Sequence, residues 1–245
     1  EKKLAEFKSR LTAQIAAANP GMLWFLGNEI DRRDYPGLNG QTFGQDEMLP
    51  ELYARAFHEL RAVIKAADPT ARIANAGVIQ ATPLRLQYLD RVWDEYLRLY
   101  GTPIPVDEWN VHGFVYREKR YYPGCPDCWG ADVPPGIDAP WGRLYEADDT
   151  ISMTLFAEQI TAFRYWLWSK GQSDKPLIVS EYGIFPLDYY EPGAGAQYVF
   201  TGTFAYMRGA VDPVTGYPGD DHRLVQRWVF YSLDDDTEYG GAHMI

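Results

Sequence analysis

Met22-Leu23-Trp24-Phe25-Leu26-Gly27-Asn28-Glu29 is an apolar run that ends on a carboxylate. Residues 22–26 are too short and too apolar for a surface helix, so they read as a buried strand. Burying an ionised carboxylate without partners costs several kcal/mol, and a strand-end Glu is therefore a candidate for work rather than filling. Pro176-Leu177-Ile178-Val179-Ser180 is a second short apolar run, and it delivers Glu181 followed by Tyr182-Gly183.

The rest of the chain alternates around these two stretches. Leu4, Phe7, Leu11, Ile15 and Ala18 recur at helical spacing over residues 1–18, and Asn19-Pro20-Gly21 stops that helix. Residues 31–47 read as a long polar loop. A helix over 50–67 carries Leu52, Ala56, Leu60 and Ile64 on one face, and Asp68-Pro69 ends it. A strand at 72–78 precedes a helix at 83–100 with Leu89, Val92, Trp93, Tyr96 and Tyr100 on its buried side. A strand at 106–114 leads into an irregular Pro- and Gly-rich stretch at 116–148. Asp149-Thr150 offers a cap for a helix running to Lys170, and the strand at 177–180 follows. A loop with Pro186 and Pro192, a helix at about 194–209, a turn-rich loop at 212–221 and a strand at 224–233 complete the order. Strands separated by helices imply parallel pairing with right-handed crossovers. No GxGxxG follows a strand, which disfavours a dinucleotide fold.

The 245 residues suffice for one large α/β domain, and 46% hydrophobic content supports a sizeable core. A formal net charge of -11 argues against nucleic acid as a partner, because phosphate binding needs a basic face. It is compatible with a neutral substrate such as a sugar. Aromatic content of 15%, with eight Trp and eighteen Tyr, suits either a large core or a carbohydrate cleft. No run approaches the roughly 20 apolar residues of a membrane-spanning helix. The sequence opens inside a helical pattern and without Met, and shows no signal peptide, so we expect a piece of a longer protein and assign no location.

In a parallel barrel the reactive residues sit at the carboxyl ends of strands, and both glutamates meet that test. The loops at 31–47, 116–148 and 185–193 would gather on the same side. Two strand-end carboxylates, distant in sequence, are the simplest kit for acid/base and nucleophile chemistry on a glycosidic bond. The Asn-Glu pair closing one strand and a Glu closing the strand three further on resemble the retaining glycoside hydrolases of clan A. That resemblance implies a TIM (β/α)8-type barrel, here incomplete, with strands 4–8 and their helices across residues 1–245 and the first three β/α units lacking. Clan members also bring an Arg from an early strand to the nucleophile, and no residue here takes that role.

The resemblance implies Glu29 as general acid and then base, Glu181 as nucleophile, and Asn28 as partner of the sugar 2-hydroxyl. Against this, Glu29 could be a structural carboxylate paired with Arg32 or Arg33, and Glu181 an ordinary strand-end cap. His112, between the two on its own strand, matches a cleft-lining His or Tyr of the clan; a lone strand His is as often a core residue. Tyr231 occupies the slot of a sugar platform, with Trp228 as the alternative of opposite strand parity. Asn75 and Asn110 could face the cleft, whereas Tyr182 could simply pack. Cys125-Pro126-Asp127-Cys128 is half a zinc knuckle at most, so it reads as a loop staple, disulfide-bonded if exported, with His222 and His243 as outside metal candidates. Asp234-Asp235-Asp236 reads as a solvated loop. The expected partner is a carbohydrate, with no cofactor, no metal, no nucleic acid and no membrane. Rival readings are a catalytically silent carbohydrate-binding barrel and a metal-dependent hydrolase barrel.

Overall fold

The computed structural model describes residues 2–33, 35–36, 42–43, 46–184, 194–195 and 197–231. Helix α1 (Lys2–Ala17) leads into strand β1 (Leu23–Asn28), and two short strands, β2 (Tyr35–Pro36) and β3 (Thr42–Phe43), pair antiparallel within the loop that follows. Then come α2 (Pro50–Ala67), β4 (Arg72–Gly77), α3 (Pro83–Tyr100) and β5 (Trp109–His112). A 3-10 turn (Ala147–Ile151) precedes α4 (Met153–Ser169) and β6 (Leu177–Tyr182). A π-helical segment (Gln197–Thr203) continues into α5 (Phe204–Gly209), and β7 (Arg227–Phe230) is the last described strand.

Strands β1 and β4 pair in parallel, as do β5, β6 and β7. Between β4 and β5 the ladder thins to the bridges Ala74–Glu108 and Val78–Val111. The Asn75 side chain splices the gap: its amide donates to the Asn110 carbonyl (2.9 Å) and its oxygen accepts from the Asn110 N–H (2.7 Å). Both residues are buried: the Asn75 side chain is a joint of the sheet, and Asn110 takes part in it through its backbone. Among the described residues the sheet does not close into a barrel; the architecture is α/β with small parallel sheets. It does curl. Arg227 on β7 reaches past β6 to the buried Glu108 (2.6 Å), which Arg72 of β4 also holds (2.5 Å).

On the helix side, Trp109 packs between Trp166 (5.1 Å between rings), Phe163 and Trp93, so this part of the aromatic excess is core. Pro83 sits in the first turn of α3, where its missing N–H costs nothing. The cap of α4 is Ser152, whose hydroxyl accepts the Leu155 N–H, while Asp149 belongs to a capping box with Glu146 one turn earlier. Helix α2 also departs from its expected phase. Leu52 is 55% exposed, and Tyr53, Ala54, Phe57 and Ile64 face inward. Tyr53 and Phe57, four residues apart, bury more area than the aliphatic stripe and set the rotation. The Tyr53 hydroxyl accepts the Ala76 N–H of β4 (2.7 Å). Tyr53→Phe leaves that buried N–H without its partner, so we expect a loss of about 1–3 kcal/mol in urea unfolding with an unchanged m-value.

Candidate active site

The end of β1 is built by backbone geometry that few residues tolerate. Gly27 has φ +108, and Glu29, just past the strand, has φ +45. Glu29 continues the ladder by donating its N–H to the Gly77 carbonyl (2.9 Å), and its carbonyl accepts the Arg32 N–H (2.9 Å). The side chain is 3% exposed. Its two oxygens are both occupied: Oε1 lies 3.0 Å from His112 Nδ1, and Oε2 accepts from Arg32 Nη1 (3.0 Å). The salt-bridged alternative for Glu29 is therefore met by Arg32. Arg33 points elsewhere, to the carbonyls of Val133 and Pro134.

Strand β6, parallel to β5, delivers Glu181 in register with His112. Its Oε2 lies 3.8 Å from the same His112 Nδ1, and its side chain is 30% exposed. One oxygen of Glu29, His112 Nδ1 and one oxygen of Glu181 all lie within 4.8 Å of one another. The chain thus brings three sequence-expected site residues together from three strands. His112 is buried and its Nε2 has no hydrogen-bond partner among the described residues. An ionised Glu29 only accepts, so His112 Nδ1 carries a proton when it bonds that carboxylate. The ring lies against Gly77: a Cβ there would fall 2.5 Å from Cδ2 and Nε2.

Electrostatics separate the two carboxyls. Burial pushes Glu29 up, but the hydrogen bond and charge of His112 and the charge of Arg32 outweigh it and hold Glu29 below the ordinary Glu value. Burial pushes Glu181 above that value; His112 opposes it and the Glu29 charge adds to it. The linkage signs are opposite. Glu29 contributes stability above the unfolded carboxylate range, and this is lost as pH falls through its folded value. Burial disfavours the charged form of Glu181, so its contribution is full below the unfolded carboxylate range and is lost as pH rises through its folded value. Glu181→Gln is therefore expected to raise Tm at pH 8 by a few degrees, equivalent to about 1 kcal/mol, with the gain vanishing near pH 4. A thermal melt series across that range checks it.

The remaining sequence candidates are placed as follows. Asn28 ends β1, half-buried, with its N–H donated to Asp46 (3.2 Å). Tyr231, 37% exposed, follows β7 and donates its N–H to the Tyr182 carbonyl (2.9 Å); strand alternation puts it on the face of Arg227 and Val229. Trp228, the alternative of the other parity, packs on Phe204 of α5 (6.3 Å). Tyr182 packs with Phe156, Phe204 and Phe230. Cys125 and Cys128 form a disulfide, and Asp127 between them pairs with Arg117 (3.2 Å) and Lys119. His222 does not join that group, while His243, Asp234–Asp236 and the loop at 185–193 lie outside the described residues.

Sequence reading missed Tyr116. It stacks on Phe114 (5.1 Å, 8° between planes), which meets His112 edge-on. Its phenol is pushed well above the ordinary value by desolvation, with the charges of Glu29 and Glu181 adding to the effect. The Phe-x-Tyr spacing just beyond a strand end carrying a His was the available signal. Chemically, the constellation can exchange a proton, offer a nucleophilic carboxylate, or hold a divalent cation on the three convergent atoms.

No protein-family model matches the sequence, and no curated protein does. Solved structures do match. A monomeric β-xylosidase from Caulobacter crescentus CB15 aligns over 98% of this chain and 41% of its own, with TM-score 0.53 and 14% identity. A glucosidase from Croceicoccus marinus aligns over 93% of this chain and 38% of its own, with TM-score 0.51 and 13% identity. The chain spans about two-fifths of each, and at these identities the likeness concerns the fold: it is that of glycosidases.

Proposed function

We propose that this chain carries the catalytic pair of a retaining O-glycoside hydrolase that cleaves β-linked glycosides or polysaccharides. The observation that supports it most is the convergence of Glu29 and Glu181, from β1 and β6, to within 4.8 Å through one oxygen each. Retaining pairs stand about 5–5.5 Å apart, whereas inverting pairs leave about 6.5–9.5 Å for a water. Glu181 attacks the anomeric carbon while Glu29 protonates the departing oxygen, giving a glycosyl-enzyme. Glu29 then takes a proton from water, which displaces Glu181 and releases the sugar with its configuration retained. Asn28 holds the 2-hydroxyl, and Tyr231 lies under the ring. The sheet would be one part of a (β/α)8 barrel, with three further β/α units against β1 and β7, where Phe25 and Val229 are 42% and 58% exposed.

A second division of labour, with Glu181 as acid and Glu29 as nucleophile, is favoured by the pKa directions of the substrate-free site. Proton NMR of the first-formed product of an aryl β-glycoside tests the shared proposal: a β-anomer supports retention and an α-anomer contradicts it. A protein that binds the sugar without turnover would be the silent carbohydrate-binding barrel. Turnover that disappears with a strong chelator would point to the metal-dependent hydrolase.

A further inference from the structure

Behind the carboxylate pair lies a buried ion cluster that the mechanism does not use. Arg85, in the first turn of α3, is fully buried together with Asp31 and Glu118. All three guanidinium nitrogens are engaged. Nε donates to Glu118 Oε1 (3.1 Å), Nη1 to Asp31 Oδ2 (2.8 Å) and to the Asp31 carbonyl, and Nη2 to the carbonyls of Ala131 (2.6 Å) and Asp132 (2.7 Å). The Asp31 carboxylate also accepts the Ile79 N–H (3.3 Å), and Glu118 accepts the Thr82 hydroxyl (2.5 Å). One side chain therefore ties together the exits of β1, β4 and β5 and the loop at 131–132.

This grip falls two residues after the one strained backbone position of the catalytic pair. A non-glycine residue in the left-handed region costs about 1–2 kcal/mol and persists only where the surroundings over-determine it. On its N-terminal side Glu29 is fixed by the ladder to Gly77. On its C-terminal side the turn from Glu29 to Arg32 is anchored at the Ile30 carbonyl, which accepts the Met48 N–H (2.9 Å), and at Asp31, whose carbonyl and carboxylate Arg85 both holds. We propose that Arg85 is a positioning residue that keeps Glu29 in its left-handed conformation beside His112 and Arg32. The kinetic consequence rests on the glycosidase reading; the placement itself does not. A lysine cannot substitute, because one ammonium does not reproduce the planar fork.

The groups facing Glu29 are Arg32 and Asp31 on its own turn, His112 on β5, Glu181 on β6 and Tyr116 beyond β5. If Glu29 leaves His112 and Arg32, burial acts on it unopposed and its midpoint rises. The test is a pH titration of Glu side-chain carboxyls by carbon-13 NMR on the full chain, with Glu29 assigned from its loss in Glu29→Gln. In the wild type the Glu29 midpoint falls below the ordinary value of about 4.3. In Arg85→Lys it is expected above that value. Asp31→Asn is the second variant, for use if Arg85→Lys does not fold. Removing the Asp31 charge would on Coulomb grounds lower Glu29 further, so a rise there reports displacement. With an aryl β-glycoside, both variants are expected to lose about 10–100-fold in kcat with KM within about twofold, and the pH limb follows the NMR midpoint. An unmoved Glu29 midpoint in a folded Arg85→Lys, or a lowered one in Asp31→Asn, overturns the proposal. A wild type without hydrolysis overturns the glycosidase reading instead and leaves the titration to decide the clamp.

Discussion

Glu181→Gly is expected to lower kcat for an aryl β-glycoside by about 10⁴-fold or more, because it removes the group that bonds the anomeric carbon. Glu29→Ala is expected to cost about 10²–10⁴-fold, less for a leaving group acidic enough to depart unprotonated. The two act as a unit, so the double variant is little worse than Glu181→Gly alone. Azide separates the roles. In Glu181→Gly it enters the vacated space, attacks the anomeric carbon and displaces the aryl alcohol, giving a glycosyl azide of inverted configuration. In Glu29→Ala it attacks the glycosyl-enzyme and regenerates the Glu181 carboxylate, giving a product of retained configuration. The reverse pattern would assign Glu29 as nucleophile, in line with its lowered pKa.

Gly77→Ala is expected to be the most damaging change that touches no carboxylate. The new methyl would stand 2.5 Å from His112 Cδ2 and Nε2 and 2.9 Å from Asn110 Nδ2, and both side chains are buried. Neither can move freely: His112 is held by Glu29, and the backbone of Asn110 is clasped by the Asn75 amide. We expect a stability loss of about 1–3 kcal/mol from overpacking. The ring must shift off Glu29, so activity falls about 10–100-fold. In the double variant with His112→Ala the stability loss shrinks, since the clashing ring is gone; a double-mutant cycle in urea measures that coupling. Additive losses would place the strain elsewhere.

Much of this was legible in the sequence because the signals were local. Short apolar runs ending in Glu29 and Glu181 mark strand ends, and strand ends of a parallel sheet are where side chains converge. The alternation of strands and helices was legible for the same reason. What escaped depends on partners far along the chain. Arg85, in a helix first turn, looks like any solvated basic residue until Asp31 and Glu118 are seen to enclose it. Nothing in the sequence marks Asn75 as the side chain that mends the ladder to the Asn110 backbone. The rotation of α2 was missed because aliphatic spacing was weighed above the area of Tyr53 and Phe57. Trp228 packs on Phe204, a contact that its strand parity foreshadowed. The left-handed φ of Glu29 has no sequence signature at all, since Glu is not a residue chosen for that conformation.

The central claim is that two distant carboxylates share one anomeric carbon. A 2-fluoro glycoside with a good leaving group, incubated with the protein and followed by peptide mapping, traps the covalent intermediate at the attacking side chain. One sugar per chain, bonded to Glu181, is the expected result. No adduct from a substrate the protein turns over, or an adduct on a residue outside the pair, would contradict it.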